Sequence, residues 1–367
     1  MPPVLKQYPF FVRITIILFG LILCSYALSN LRDILIPFSF AVFLAILLNP
    51  LVERFIKWRF FRVLSILLAL LIAILVIGGV WYFLAVQMMH FTGQLPALEK
   101  KTSDLVSRLQ QELAHKIPLD KQNQYISEAK AGIKPLIGQL LGSAVGTLTT
   151  VLLLPLYTFL LLYYKELILN FFYDIFAREQ EGEVRTVLRQ VRSAIQNYMY
   201  GLLIEGVIVA SLNAVALLLL GVPYAILMAI LGAILNVLPF FGGILAALLP
   251  MIVATITKDG LHTQVGIAIS YMVIQFIDNH FLIPYIVSAK VRINALVSIV
   301  VVLLGGAVWG FSGMFLSIPF IGVLKIVFDR IPEMQPWGRL LGSEVVPRRG
   351  RKRAAVQNGQ RLSRKRT

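Results

Sequence analysis

Charge is scarce in this chain. Of its 367 residues, 14% are Asp, Glu, Lys or Arg, against about 25% in an ordinary soluble domain. That is too little polar surface to cover a water-soluble globule of this length. Cysteine is nearly absent too. Cys24 alone excludes an intrachain disulfide and any site built from several thiolates. The segment Leu21-Ile22-Leu23-Cys24 has the outline of a lipoprotein cleavage box, but that box needs a small residue where Leu23 stands. We read Cys24 as a thiol on an apolar face. No small-x-small cleavage site follows the first apolar run, so that run is expected to remain as a helix. The histidines at 90, 115, 262 and 280 have no metal-ligand spacing, and no metal site is expected. Phosphate-cradling loops, nucleophile elbows and zinc-protease motifs are missing. No catalytic residue and no cofactor are therefore expected, and an ATP-driven pump on this chain alone is disfavoured.

Apolar residues, by contrast, make up 58% of the chain, with a mean hydropathy of +0.81. Runs of about 18 or more apolar residues recur, the signature of membrane-spanning helices. The expected fold is an all-α polytopic membrane protein with the lipid bilayer as its solvent. Residues 10–29, 33–50 and 63–89 read as three spans, forming an N-terminal unit over 1–89. Residues 90–142 are polar, with Leu98, Leu105, Leu109 and Leu113 at helical spacing, and read as an extracytoplasmic helical module. Gly138, Gly142 and Gly146, spaced for close helix packing, lead into a fourth span at 143–164. Residues 165–197 carry Lys165, Arg178, Arg185, Arg189 and Arg192 among apolar residues, as an amphipathic surface helix would. A fifth span covers 198–220 and opens a core over 198–330.

The net charge of +16 is unevenly placed. Lys6, Arg13, the 53–62 linker and the 165–197 segment fall on one side, which the positive-inside rule makes cytoplasmic. Both termini are then cytoplasmic. The tail, 331–367, holds basic clusters at 348–353 and 361–366. After so apolar a body, these suit anionic lipid headgroups better than nucleic acid, and no nucleic-acid partner is expected.

Two apolar stretches are unusually long, 223–257 and 294–328. As a straight helix each would run about 52 Å, against about 30 Å of hydrocarbon. Each is also interrupted near its centre. The first holds Asn236-Val237-Leu238-Pro239-Phe240-Phe241-Gly242-Gly243, and the second holds Trp309-Gly310-Phe311-Ser312-Gly313. Proline removes a backbone donor and glycine is a poor helix interior residue. Two helical hairpins that enter and leave on the same face fit both observations; tilted, kinked single spans are the alternative. With hairpins, the order helix, hairpin, helix, hairpin makes two units of opposite orientation, as in many secondary transporters.

Inside the predicted helices of this core stand two carboxylates, Glu205 and Asp278. Ionisable groups at membrane depth are costly and mark function by default; protonated or hydrogen-bonded packing is the alternative for both. Gln275, Asp278 and Asn279 share one helix face. His280 lies about 200° around from Asp278 and reads as a packing or interfacial residue. Pro284 leaves the carbonyl of His280 without its usual donor. Asn213 lies within about 80° of the face of Glu205, and Asn236 flanks the first break.

These residues carry a family resemblance. Leu220-Gly221-Val222-Pro223-Tyr224 and Leu235-Asn236-Val237-Leu238-Pro239-Phe240-Phe241-Gly242-Gly243 resemble the signature of the AI-2E (autoinducer-2 exporter) family. So do Asp278-Asn279 with Pro284, Gly305-Gly306, Trp309-Gly310, Ser312-Gly313 and Pro319. The resemblance spans about residues 10–330. It implies a bacterial inner-membrane transporter of about eight membrane segments, assembled as a homo-oligomer, with a pentamer among the arrangements open. It also implies export of a small polar solute such as autoinducer-2, or sodium- or lithium-for-proton antiport. A scaffold or assembly role using the 90–142 module and the tail is a third reading. The expected substrate or ion site lies between the hairpin tips. It comprises Asn236, Pro239 and Gly242 on the first, Ser312 and Gly313 on the second, and Gln275, Asp278, Asn279, Pro284, Glu205 and Asn213 around them.

Overall fold

The computed structural model describes residues 9–93, 148–238, 242–258, 260–287 and 293–343. Most of the expected 90–142 module, Pro239 and residues 344–367 of the basic tail, with both of its basic clusters, lie outside the described residues. Within them the chain is helical, with one isolated bridge, Ile293 to Gly342. The helices are α1 (Phe10–Asn30), α2 (Arg32–Lys57), α3 (Arg62–Gly93), α4 (Leu148–Tyr163), α5 (Lys165–Leu219), α6 (Ala225–Asn236), α7 (Gly242–Thr257) and α8 (His262–Ile277). A π-helix (Asp278–Val287), α9 (Ala295–Arg330) and α10 (Gln335–Leu341) complete the described chain. Five of the described helices are long and apolar enough to cross a membrane. A sixth span arises if the pair Leu152–Tyr163 and Lys165–Ile175, bent by 62°, is counted as one. The expected count of about eight goes beyond that number.

Large apolar side chains cover the outside. Ile22, Leu75, Leu152, Leu219 and Met272 are all exposed, the surface a bilayer solvates. One end of the bundle is basic. There Glu53 Oε1 accepts hydrogen bonds from Asn49 Nδ2 at 2.7 Å, Lys165 Nζ at 3.1 Å and an Arg192 guanidinium nitrogen at 3.4 Å. Arg62 donates to the carbonyl of Leu162. These contacts join α2, the α3 start, the α4–α5 bend and α5. The expected break between a surface helix and a fifth span near 197 is not seen. α5 runs unbroken for 55 residues, because it contains no proline and its buried face continues across that point, with Ile195, Glu205, Val209, Asn213 and Leu217 all buried.

Both long apolar stretches double back. α6 and α7 form an antiparallel pair: a Cβ built on Gly232 would lie 3.4 Å from that of Ala246, and one on Gly221 would lie 3.3 Å from Lys258 Nζ. Gly242 packs its backbone on Leu235 and Asn236 at the turn, where a side chain would collide. α9 is helical at both ends, but Trp309 (φ −126°, ψ 16°) and Gly310 (φ 59°, ψ −140°) leave helical geometry. Its two arms fold together there, with Gly305 and Gly313 in backbone contact and no room for a Cβ on either. The base of this second hairpin is closed by Asn294 N donating to Leu341 O at 2.9 Å.

The two hairpins point in opposite directions. The second opens at the basic end, since Lys325 meets Gly342 there. Its tip reaches the other end of α1, where Trp309 Nε1 donates to Leu28 O at 2.9 Å. The first opens at the far end, beside the C-terminus of α5, and its tip reaches inward toward Glu205. α2 runs alongside the second arm of α9 through ring pairs Phe40 with Phe315 and Phe43 with Phe320. A buried apolar cluster of Leu217, Leu227, Met228, Ala246, Val253 and Ile267 holds the first hairpin between α5 and α8.

Candidate functional site

The tip of the first hairpin faces the junction of α8 and the π-helix, and the polar residues meet there. α8 stops being an α-helix at Asp278 and continues for ten residues in π geometry. Single π turns tend to sit at functional sites. Pro284 lies inside this segment, where its missing donor breaks the regular pattern. The wider winding puts Gln275 and Asp278 against the hairpin tip. Asn236 Nδ2 donates to Asp278 Oδ2 at 2.9 Å, and Gln275 Nε2 reaches the same oxygen at 3.4 Å. The Glu205 carboxyl stands beside Asp278. Gln275 lies so close over Gly243 that any side chain at 243 would overlap its carboxamide. A larger residue there would push the Gln275 carboxamide out of its place, an effect of close approach and not of backbone angle.

A cavity of about 530 Å³ opens from this cluster, inside the range of about 300–1,000 Å³ for small-molecule sites. Glu205, Asn236, Gln275, Asp278 and Asn279 all line it. Gly242 supports the tip from behind, next to the lining Gly243. Other expected residues stand elsewhere. Asn213 is buried two turns farther along α5. Pro284 is exposed and acts through the backbone. Ser312 and Gly313 sit at the tip of the other hairpin, where Gly313 O accepts from Ser317 Oγ at 2.6 Å; they pack its arms and do not line the cavity. His280 turns away and bonds the carbonyl of Phe276.

The cavity extends toward the basic end between α5 and the second hairpin, past Tyr198, Asn197, Ser298 and Pro319. Sequence reasoning missed this half. Ala194, Tyr198, Leu202 and Glu205 recur at helical spacing on one face, a signal available once Glu205 is taken as lining. Ala194 also borders a second, basic pocket with Arg189, Lys325 and Arg330. The main cavity thus runs from the carboxyl pair toward the basic end, and shares only Ala194 with this separate pocket, in which Lys325 is paired with Asp329.

None of the described residues lining the main cavity is basic. Two adjacent carboxyls in a low-dielectric setting cannot both carry unbalanced charge without a cost of several kcal/mol per ion. The site therefore suits ligands that bring hydrogen-bond donors or positive charge. Among the described residues no group of histidine, cysteine, aspartate and glutamate is arranged to hold a metal ion.

Comparison with known proteins identifies the family. The AI-2E family transporter profile matches residues 14–333. AI-2 transport protein TqsA of Escherichia coli is 25% identical over 325 residues, covering 87% of this chain and 92% of the relative. Putative transport protein YrrI of Bacillus subtilis is 23% identical, covering 83% and 88%. Putative permease PerM of Escherichia coli is 30% identical over 53% of this chain and 56% of its own length. With the profile covering nearly all of the helical body, the chain belongs to the AI-2E family of membrane transporters.

Proposed function

We propose that the cavity is the solute site of a secondary transporter that exports a small polar solute from the cytoplasm. The observation that carries this reading is the convergence of the Asn236 and Gln275 carboxamides on Asp278. It occurs at a hairpin tip within an apolar body, where unpaired polar groups are costly. The basic end, by the positive-inside rule, is the cytoplasmic one, so the cavity faces the cytoplasm. Transport would then proceed by one hairpin unit moving against the rest. TqsA is named as an AI-2 transport protein, which makes autoinducer-2 the first solute to test. Release of autoinducer-2 from cells with and without the chain, and counterflow in proteoliposomes with a panel of small polar solutes, test the reading. Unchanged release together with no counterflow of any panel member would refute it.

The unbalanced carboxyl pair favours a second reading, sodium- or lithium-for-proton antiport. Proteoliposomes with an internal pH dye decide it. Sodium addition should move protons in the native protein and fail to do so in Asp278→Asn. Proton movement that survives both Asp278→Asn and Glu205→Gln would remove this reading.

A further inference from the structure

The cavity ends at Glu205 and Asp278, but the row of buried polar groups does not. Gln264 and Tyr271 on α8 and Asp278 at the start of the π-helix are spaced about two helical turns apart, so they stand in one line. On α5, Asn213 follows Glu205 toward the same far end. The two lines meet over Gly232 of α6, where a Cβ would lie 3.3 Å from Asn213 Nδ2 and 3.6 Å from the Tyr271 hydroxyl. Asn213 is 1% exposed, Tyr271 7% and Gln264 9%. Each carries an atom with no hydrogen-bond partner among the described residues: Asn213 Oδ1, the Tyr271 hydroxyl and Gln264 Oε1. Asp278 Oδ1 is a fourth, and the Tyr224 hydroxyl, just before α6, is a fifth.

A buried polar atom left without a partner costs about 1–3 kcal/mol, and native structures keep few of them. Here the four on Asp278, Tyr271, Gln264 and Asn213 form a file. It leads from the carboxyl pair to the end of the bundle opposite the basic one, where Leu220 packs on Gly266. The surroundings are apolar, including Leu217, Leu227 and Ile267, so leucine or phenylalanine at these positions would pack without any unmet hydrogen bond.

We infer that Asn213, Tyr271 and Gln264 are the closed far half of the solute path. They are hydrogen-bonding stations for a small polar solute, left unsatisfied while the cavity is open at the basic end. This inference rests on the transport reading above. The file offers carboxamides, a phenol and a carboxylate, with no ammonium or guanidinium group, so it suits uncharged polar solutes better than anions.

Single cysteines in the full-length Cys24→Ala chain, reconstituted in proteoliposomes, test it. The probe is an impermeant trimethylammonium methanethiosulfonate added separately from each side. Asn197→Cys, which lines the cavity, should react from one side. Tyr271→Cys and Gln264→Cys should react from the opposite side. Their rate should exceed that of the exposed, lipid-facing control Met272→Cys by about tenfold, because only a hydrated thiolate reacts. If both react no faster than the control from either side while Asn197→Cys reacts, the file is sealed packing. The inference then falls and the cavity reading stands. If Asn197→Cys is also inert, both fall. Should Tyr271→Cys fail to elute as a single species, Asn213→Cys carries the same expectation and the same refutation.

Discussion

At Asp278, Oδ2 holds two carboxamide donors and the carboxyl of Glu205 is alongside. Hydrogen bonds to a charged group contribute about 1.5–3 kcal/mol. We expect Asn236→Ala to remove a bond of that size from the folded protein, read as a lower thermal midpoint in detergent, and to reduce solute counterflow. Glu53 is the residue-scale counterpart at the basic end. It takes three donors, but its side chain is 46% exposed. Glu53→Gln should therefore cost about 1 kcal/mol or less, seen as a small drop in the thermal midpoint in detergent. Both are carboxylates that gather side-chain donors, but Glu53 stands beside Arg54 and Lys57 in the basic 53–62 linker and Asp278 in an apolar run. Burial, which sequence does not report, separates a site residue from a tether.

At the scale of elements, glycines and one proline decide the geometry. Gly313→Ala puts a methyl group against the carbonyl of Gly305. The arms of α9 should separate, with a clear loss of thermal stability. Gly243→Ala meets the carboxamide of Gln275 instead. That side chain can swing away, so the expected outcome is lost transport with the thermal midpoint nearly kept. Pro284→Ala restores a backbone donor and should relax the π-helix toward α geometry, turning Asp278 off the hairpin tip. The check is loss of solute counterflow in protein that still elutes as one species. Both interruptions were legible in the sequence as glycine and proline inside over-long apolar runs. Their roles were not. Ser312 and Gly313 carry the same pattern as Asn236 and Gly242, yet one tip packs and the other lines the cavity, because the hairpins insert from opposite ends.

At the scale of the whole molecule, the apolar surface suits a bilayer, and the proposed function puts the basic end in the cytoplasm. Ser343 is exposed near the base of the second hairpin. We expect Ser343→Cys in the Cys24→Ala background to be labelled by an impermeant maleimide in inside-out vesicles and spared in right-side-out ones. The reverse pattern would invert the proposed direction of transport.

The sequence alone determined that the chain is a helical membrane protein, that its second half holds two over-long interrupted apolar stretches, and that Glu205 and Asp278 are its unusual charges; that both stretches double back was decided by the tertiary structure. Hydropathy, helix length and backbone chemistry are local properties, and a sequence displays them directly. Only the tertiary structure decided which polar residues share a cavity, that Tyr198 and Asn197 extend it, and that Asn213, Tyr271 and Gln264 form one file. Those facts depend on helices brought together from distant parts of the chain, and on the close approaches that Gly232 and Gly243 allow.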